Sequence, residues 1–405
     1  MILRVIIGLS LVAGGQSWGE PLAGVNVNPA DWERLAAWEA WTGGKAEMVG
    51  DNFYAVDWEG LSGSNPENGV GHSLERWRQG FRSGKLRGGS AGAYAFELAV
   101  PMFPDVLKDD ERRWYVGMSD EAMGDLGLLE RGRAKRVRKD AELAFRSLAR
   151  QLVRSGFGRA RLRLGWEFNL TEDAWRIEGE RERWDDFQGV WRAVHGWMMS
   201  EPGAEFTWVW NVLLGYNEEA GAGGFDPVRH AYPGDDYVDV VSCDLYDGHP
   251  WYFYRRANEA GVGEDEMEKR REMMWTFLAE GRRVAEDGSG DVVVEGVPCL
   301  NSYRAFARDH GKLFAISEWG LVGGLEGGGD NVFFLGRMHE WMRANEVAYA
   351  NYFEFMGVGE DGETVEVDHA LMPGYWEWER ERERRERSER RYLELWHSRA
   401  PGARE

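Results

Sequence analysis

The sequence predicts an α/β fold, a (β/α)8 or TIM barrel with insertions at its rim. Eight short segments with strand-like patterns are separated by segments whose apolar residues have helical spacing. The chain has 405 residues, 43% of them hydrophobic, and no long low-complexity linker. Barrels of this class reach that length when they carry insertions. Two of the predicted strands, moreover, end in a Glu that stands beside a Trp, and this fold places its active sites at strand ends.

The first half of the chain supplies four of the predicted strands. Alternating apolar residues predict strands over residues 24–28, 46–53, 94–101 and from 161 up to Glu167. Helical spacing predicts helices over residues 31–41, 74–81 and 141–155. Pro101 ends the third strand, since proline cannot donate to a strand ladder, and Gly156 ends the long helix. The basic residues between 131 and 139 are interpreted as a solvated helix face; the alternative is a polyanion site.

The second half supplies the remaining four strands. They are predicted at residues 206–211, within 237–247, at 313–320 and at 348–355. Helices are predicted over residues 184–199, 264–286, 302–309 and 331–345. The stretch from about 251 to 300 is longer than a minimal crossover, so we interpret it as an insertion at the barrel rim. Mixed charges at helical spacing predict a charged C-terminal helix over about 374–397.

Composition narrows the class of partner. The net charge of −21 would repel a phosphate backbone, so nucleic acid is not an expected partner. The chain has 21 Trp residues, and aromatic faces stack on the apolar faces of sugar rings, which favours a carbohydrate ligand. The alternative is that these Trp residues fill the core. The two Cys residues and scattered His residues have no metal-site spacing, so no metal or other cofactor is expected. We expect a monomer.

The first 19 residues have the pattern of a secretory signal peptide. Arg4 provides the positive charge, residues 5–13 form a short apolar run, and Ser17 and Gly19 supply small residues before a cleavage point. The alternative is an N-terminal strand of the fold. On the signal interpretation, residues 20–405 form a single catalytic domain. That domain is expected to be secreted or periplasmic and free of the membrane once the signal is removed.

The two Glu residues at strand ends predict the chemistry. Glu167 ends the fourth predicted strand and Glu318 the seventh, so their side chains can face each other across the barrel mouth. Such a pair fits glycoside hydrolysis, with one carboxyl as acid/base and the other as nucleophile. The apolar neighbours of Glu167 would raise its pKa and suit it to the acid/base role, whereas Tyr246 could donate to Glu318 as nucleophile. Arg163 either lies beneath the site or pairs with a core acid.

Several polar and aromatic residues are candidate substrate contacts. Asn169 stands next to the acid/base segment and could hold a sugar hydroxyl. Trp210, Asn211 and Trp319 stand at strand ends and could be sugar platforms; the alternative for each is ordinary packing. The complete set of predicted substrate-binding residues is Trp166, Asn169, Trp210, Asn211, Tyr246, Trp319 and Phe353.

These motifs resemble a known family. The segments 165–169 (GWEFN) and 316–320 (ISEWG), and the approach to strand six at 232–247, resemble clan A glycoside hydrolases. Within the clan they are similar to a divergent branch of glycoside hydrolase family 26, the β-mannanase-like family, over residues 24 to about 372. The resemblance implies that Glu167 is the acid/base, that Glu318 is the nucleophile and that Tyr246 contacts the nucleophile. Family mannanases usually carry His where this chain has Trp166, and a strand-eight Trp where it has Asn351, Tyr352 and Phe353.

The expected protein is therefore a secreted retaining β-glycoside hydrolase. Its substrate would be a polysaccharide or oligosaccharide, a β-mannan or a related β-glycan, cleaved by double displacement with two Glu residues. Two alternatives remain open at this point. One is an inactive polysaccharide-binding barrel, and the other is a transglycosylase that uses the same residues.

Overall fold

A computed structural model gives the architecture. It describes residues 21–87, 89–170, 173–177, 181–215, 230–248, 250, 252–285, 292–358, 365–373 and 385–397. The expected signal peptide lies outside these residues, and so does the part of the expected C-terminal helix before residue 385. Both cysteines, Cys243 and Cys299, are buried free thiols. None of the described helices combines the length and the apolar character that crossing a bilayer requires.

Eight parallel strands close into a barrel, in the order of the sequence. The strands are β1 (Leu22–Asn26), β2 (Met48–Asn52), β3 (Ala95–Val100), β4 (Arg161–Leu164), β5 (Thr207–Leu213), β6 (Val240–Tyr246), β7 (Leu313–Gly320) and β8 (Val347–Phe353). Strand β8 pairs with β1 to close the ring. This confirms the predicted fold class.

Helices surround the barrel. They are α1 (Trp32–Thr42), α2 (Trp58–Leu61), α3 (Gly69–Ser83), α4 (Asp120–Asp125), α5 (Leu128–Arg154), α6 (Arg181–Met199), α7 (Tyr252–Ala260), α8 (Glu264–Glu280), α9 (Leu300–Asp309), α10 (Val332–Ala344) and α11 (Glu386–Trp396). Helix α5 begins well before the predicted residue 141 and includes the basic residues from 131 to 139. Most of these are exposed or half-buried, as a solvated helix face requires.

The predicted insertion contains α7, α8 and a short antiparallel hairpin. Helix α8 ends earlier than predicted because Gly281 takes a left-handed conformation, with φ of 68°. The chain then continues as one strand of the hairpin, Arg282–Val284, which pairs with Val292–Glu295. A second hairpin, formed by Met356–Val358 and Val365–Asp368, follows β8.

The strands alternate between the barrel interior and the surrounding helices. The lowest interior layer is apolar and includes Met48, Val209, Val240, Ala315 and Tyr349. Polar residues occupy the layers above it, towards the carboxyl ends of the strands. They include Glu97, Ser242 and Ser317, then Asn26, Asn52, Arg163, Asp244 and Glu318, and all of them are buried. Buried polar groups need partners. In the lower polar layer the donors converge on Glu97, and in the upper one they converge on Glu318.

Candidate active site

A β-bulge in β7 aims Glu318 into the barrel. Strand β6 pairs Cys243 with Ile316 but pairs the next residue, Asp244, with Glu318. Ser317 is therefore the extra residue of β7, and both it and Glu318 face the interior. A bulge of this kind redirects a side chain beside a site. Trp319, the next residue, consequently faces outwards.

Four donors surround the Glu318 carboxylate. Its Oε1 accepts hydrogen bonds from Asn26 Nδ2 at 3.3 Å, from Asn52 Nδ2 at 2.9 Å and from Arg163. Its Oε2 accepts a hydrogen bond from the Tyr246 hydroxyl at 2.6 Å. Glu318 is only 4% exposed. An ionised carboxylate can only accept hydrogen bonds, so this environment fits a charged Glu318.

Arg163 provides the positive charge of the site. It forms ion pairs with Glu318 and with Asp244, where Nη1 lies 2.6 Å from Oδ2. Its Nη2 also donates to Asn52 Oδ1 at 2.8 Å. Both of the predicted positions for Arg163 are therefore found, because it lies beneath the site and also pairs with a buried acid, Asp244. Buried charges of opposite sign hold each other in place when they are also hydrogen-bonded.

Glu167 lies just beyond β4, in a turn that its neighbours hold. Both Gly165 (φ 53°) and Glu167 (φ 48°) are in the left-handed region, which costs free energy for a residue with a Cβ and is common at functional sites. The Glu167 backbone N–H donates to Asn211 Oδ1 at 3.2 Å. Asn211 Nδ2 in turn donates to Asp244 Oδ1 at 2.9 Å. Asn211 therefore holds the turn that carries Glu167. Both ends of its side-chain amide bond to the protein, so it is not a sugar platform.

The electrostatics of Glu167 differ from those of Glu318. Glu167 is half-buried, and burial raises its pKa well above the usual range. The negative charges of Asp244 and Glu318 raise that pKa further, while Arg163 opposes them. Asp244 accepts hydrogen bonds on both of its oxygens, from Arg163 and from Asn211, as a charged carboxylate does. A carboxyl with a raised pKa keeps its proton near neutral pH and can donate it.

The separation of the carboxyls bears on the reaction class. One oxygen each of Glu167, Asp244 and Glu318 lie within 4.8 Å of one another. Retaining glycosidases hold their two carboxyls roughly 5–5.5 Å apart, whereas inverting enzymes need roughly 6.5–9.5 Å to admit a water molecule. These oxygens of Glu167 and Glu318 are therefore closer together than the spacing that inverting enzymes need, and the arrangement favours the retaining class.

Three of the predicted substrate contacts lie around this pair. Tyr246 contacts Glu318 directly, and Phe353 packs edge-on against Tyr246 with 5.9 Å between ring centroids. Trp166 lies beside the guanidinium of Arg163, which is 6.0 Å from its ring centroid, and packs against Trp175 at 4.5 Å. These aromatic rings line the site from the sides of β4, β6 and β8.

The structure corrects three other predicted contacts. Trp210 is fully buried among the surrounding helices, where it packs against Phe168. Trp319 is 1% exposed and packs against Trp396 of α11 at 5.1 Å. Neither ring can stack on a sugar in the barrel mouth, because both lie on the outer face of their strands. Asn169 is a structural link instead: its amide exchanges two hydrogen bonds with the Leu213 backbone, at 2.7 and 3.0 Å.

Four functional candidates were missed by the sequence reasoning. Asn26 and Asn52 end β1 and β2 and contact Glu318. Asp244 links Arg163 with Asn211. Tyr54, just beyond β2, is 52% exposed and stands edge-on to Trp166. The available signal was position, since each of these residues lies at or near the carboxyl end of a predicted strand.

Comparison with known proteins shows the fold. No family model and no curated protein matches the sequence. Among solved structures, the chain is similar to a glycoside hydrolase family 26 β-mannanase from Bacteroides ovatus, with a TM-score of 0.54 and 13% identity, over 94% of this chain and 89% of that one. The GH26C protein from Muricauda sp. gives a TM-score of 0.48 and 12% identity, over 88% and 83% of the two chains. The β-glycosidase from Thermosphaera aggregans gives a TM-score of 0.49 and 7% identity, over 96% of this chain and 97% of that one. The chain therefore has the barrel fold of glycoside hydrolases and resembles family 26 structures at low sequence identity.

Proposed function

We propose that the protein is a retaining β-glycoside hydrolase in which Glu318 is the nucleophile and Glu167 the acid/base. The observation that carries the proposal is the contrast between two neighbouring carboxyls. Glu318 is surrounded by four hydrogen-bond donors, whereas burial and negative neighbours raise the pKa of Glu167. A double displacement requires one charged and one protonated carboxyl at this separation.

In the first step, a carboxylate oxygen of Glu318 attacks the anomeric carbon and the glycosidic C–O bond breaks. Glu167 gives its proton to the departing oxygen, so the leaving group departs as an alcohol. The negative charge of Glu318 is consumed in the ester bond to the sugar. Loss of its proton leaves Glu167 ionised, close to the Arg163 guanidinium that favours its charged form.

In the second step, Glu167 takes a proton from water, and the water oxygen attacks the same carbon. The ester bond breaks and Glu318 regains its charge, while the sugar keeps its original configuration. Tyr246 and Arg163 hold Glu318 throughout, with donors on both of its oxygens. Donors fixed before the reaction need no reorganisation when charge moves.

A β-mannan or a related β-glycan is the proposed substrate class. The strand-four and strand-seven motifs and the likeness to a β-mannanase structure support it. Trp166 stands where family mannanases usually carry His, and Tyr352 and Phe353 where they carry Trp, which favours a glycan other than plain mannan. We also propose that the protein acts as a monomer.

A substrate panel with product analysis tests the proposed function. The purified protein would be incubated with β-mannan, mixed-linkage β-glucan, xylan and bacterial polysaccharides, and the first anomer formed would be read by NMR. We expect cleavage of at least one β-glycan with the β-anomer formed first. An α-anomer as first product would refute the retaining mechanism. Binding without cleavage would favour an inactive binding barrel, and mainly longer products a transglycosylase.

Export is a separate proposal, which rests on Arg4, the apolar run over residues 5–13, and Ser17 with Gly19. We expect the mature protein to lack about the first 19 residues and to accumulate outside the cytoplasm. Mass spectrometry of the protein isolated from its native host measures this. A mature protein that still begins at Met1 would contradict it.

A further inference from the structure

Tyr54 is an aromatic ring that the catalytic steps do not use, although it stands at the barrel mouth. It is 52% exposed, although contacts with the protein hold both its hydroxyl and its ring. Its hydroxyl accepts a hydrogen bond from Asn28 Nδ2 at 2.9 Å. Its ring meets the ring of Trp166 edge-on, with 6.3 Å between centroids and an interplanar angle of 85°.

These anchors tie Tyr54 to both catalytic carboxyls. On one side, the Asn28 backbone N–H donates to Asn26 Oδ1 at 3.1 Å, and Asn26 donates to Glu318. On the other side, Trp166 directly precedes Glu167 in the chain. A ring that is fixed in this way loses little conformational entropy when a ligand stacks on it.

Two polar groups near the ring can form further hydrogen bonds. Asn28 is 4% exposed, and within the described part of the chain its Oδ1 has no donor. The Tyr54 hydroxyl accepts from Asn28, and a phenol that accepts one hydrogen bond can still donate its own hydrogen. Buried polar atoms without partners call for an explanation. A ligand rich in hydroxyl groups would supply both a donor and an acceptor.

Two exposed apolar residues lie in the loops next to Tyr54. Val56, two residues further on, is 59% exposed, and Val106 is 60% exposed. The two loops that carry them are joined, because Val106 N donates to the Val56 carbonyl oxygen at 3.0 Å. The loops after β2 and β3 are therefore joined close to Tyr54 and expose apolar side chains there.

We propose that Tyr54, with Asn28, forms a sugar-binding position next to the point of cleavage. The ligand is one pyranose unit of the β-glycan substrate, stacked by its C–H face on the exposed Tyr54 ring. The exposed side chains of Val56 and Val106 then contact further units of the glycan. This inference rests on the proposed function for the identity of the substrate, and it predicts that the protein prefers long glycans to short ones.

The test compares Tyr54→Ala with Leu143→Ala, a control of similar exposure (58%) on α5. Binding would be measured by calorimetry in a Glu318→Gln background, with β-1,4-linked manno- and gluco-hexaoses and their disaccharides as probes. Kinetics would be measured in the otherwise native protein on the same sugars. We expect Tyr54→Ala to weaken hexasaccharide binding about tenfold and to lower kcat/KM through KM. Leu143→Ala should change neither quantity.

Two further variants separate stacking from loss of structure. Tyr54→Trp and Tyr54→Phe keep an aromatic ring and should retain most of the affinity for the hexasaccharide. Equal binding by Tyr54→Ala and the Leu143→Ala control would overturn the inference, even if the protein hydrolyses the hexasaccharide. An unmodified protein that binds the hexasaccharide through Tyr54 but cleaves nothing would overturn the proposed function and leave the inference standing.

Discussion

Replacing Tyr246 tests whether its hydroxyl supports Glu318, the proposed nucleophile. Its hydroxyl donates to Glu318 Oε2 at 2.6 Å, within a buried site. Replacing it in Tyr246→Phe removes one hydrogen bond to a charged group, which is worth about 1.5–3 kcal/mol. We therefore expect kcat to fall by roughly 10- to 150-fold, since about 1.4 kcal/mol corresponds to a factor of ten. Steady-state kinetics on a cleaved substrate measures the change.

Tyr232→Phe is the matched control for Tyr246→Phe. Its hydroxyl also donates to a carboxylate, Asp235, at 3.0 Å, but it lies outside the barrel among the helices. We expect its kcat to stay within about twofold of the native value, because its hydroxyl bonds to Asp235 rather than to a carboxyl of the site. A similar loss in both variants would mean that Tyr246 serves stability and not the nucleophile.

A substitution in the turn after β4 tests whether this turn positions Glu167, the proposed acid/base. Gly165 has φ of 53°, and a Cβ added there would lie 3.1–3.2 Å from Met102. We expect Gly165→Ala to lower the free energy of unfolding by about 1–3 kcal/mol, since an L-residue is strained in this region and close to Met102. It should also displace Glu167 and lower kcat. Urea unfolding and kinetics measure the two effects.

Gly196→Ala is the control for the turn. Gly196 lies within α6, and a Cβ there would meet no atom within 4 Å. Alanine favours a helix over glycine by about 1 kcal/mol, so this variant should be as stable as the native protein or more stable. If Gly165→Ala behaved like Gly196→Ala, the left-handed turn would not be what holds Glu167.

The elements also show what the sequence could predict. The eight strands and the two Glu residues at strand ends follow from alternation and from local motifs. The bulge at Ser317 does not, because it arises from pairing between β6 and β7 that no local pattern records. Strand alternation does argue that Trp210 and Asn211 cannot both face the mouth. Alternation alone does not say which of the two faces outwards; in the structure it is Trp210, which packs against Phe168.

The hydrogen-bond donors around Glu318 could not be predicted from the sequence, because they come together only in the closed barrel. Asn26 and Asn52 come from β1 and β2, and Asn26 lies almost 300 residues before Glu318 in the sequence. In the sequence each is one Asn within a short predicted strand, and its role becomes evident only when the barrel closes. The hairpin in the insertion was also missed, because its strands of 3 and 4 residues carry too short a pattern.

Buried carboxyls govern how the stability of the whole molecule depends on pH. Burial raises the pKa of Asp51 to about 7 and of Asp247 to about 6. Between their ordinary pKa of 3.8 and these raised values, the folded protein binds more protons than the unfolded chain. Its stability therefore falls as the pH rises through this window. We expect a lower Tm at pH 8 than at pH 5.

Differential scanning calorimetry from pH 5 to 8 measures this dependence, and Asp51→Asn serves as the comparison. The variant cannot titrate at this position, so its stability should depend less steeply on pH than that of the native protein, although it is less stable overall. A Tm that rises steadily from pH 5 to 8 would contradict the assignment of raised pKa values to these carboxyls.

Azide rescue tests the roles of the two Glu residues, which are the central claim. With an aryl β-glycoside whose leaving group needs no proton, Glu167→Ala should form the glycosyl-enzyme and then stall for lack of a base. Added azide should restore turnover and give a β-glycosyl azide, with configuration retained in the NMR spectrum. Glu318→Ala should not give this product. The opposite pattern, a retained β-azide from Glu318→Ala and none from Glu167→Ala, would reverse the two roles, and unchanged activity in both variants would place the site elsewhere.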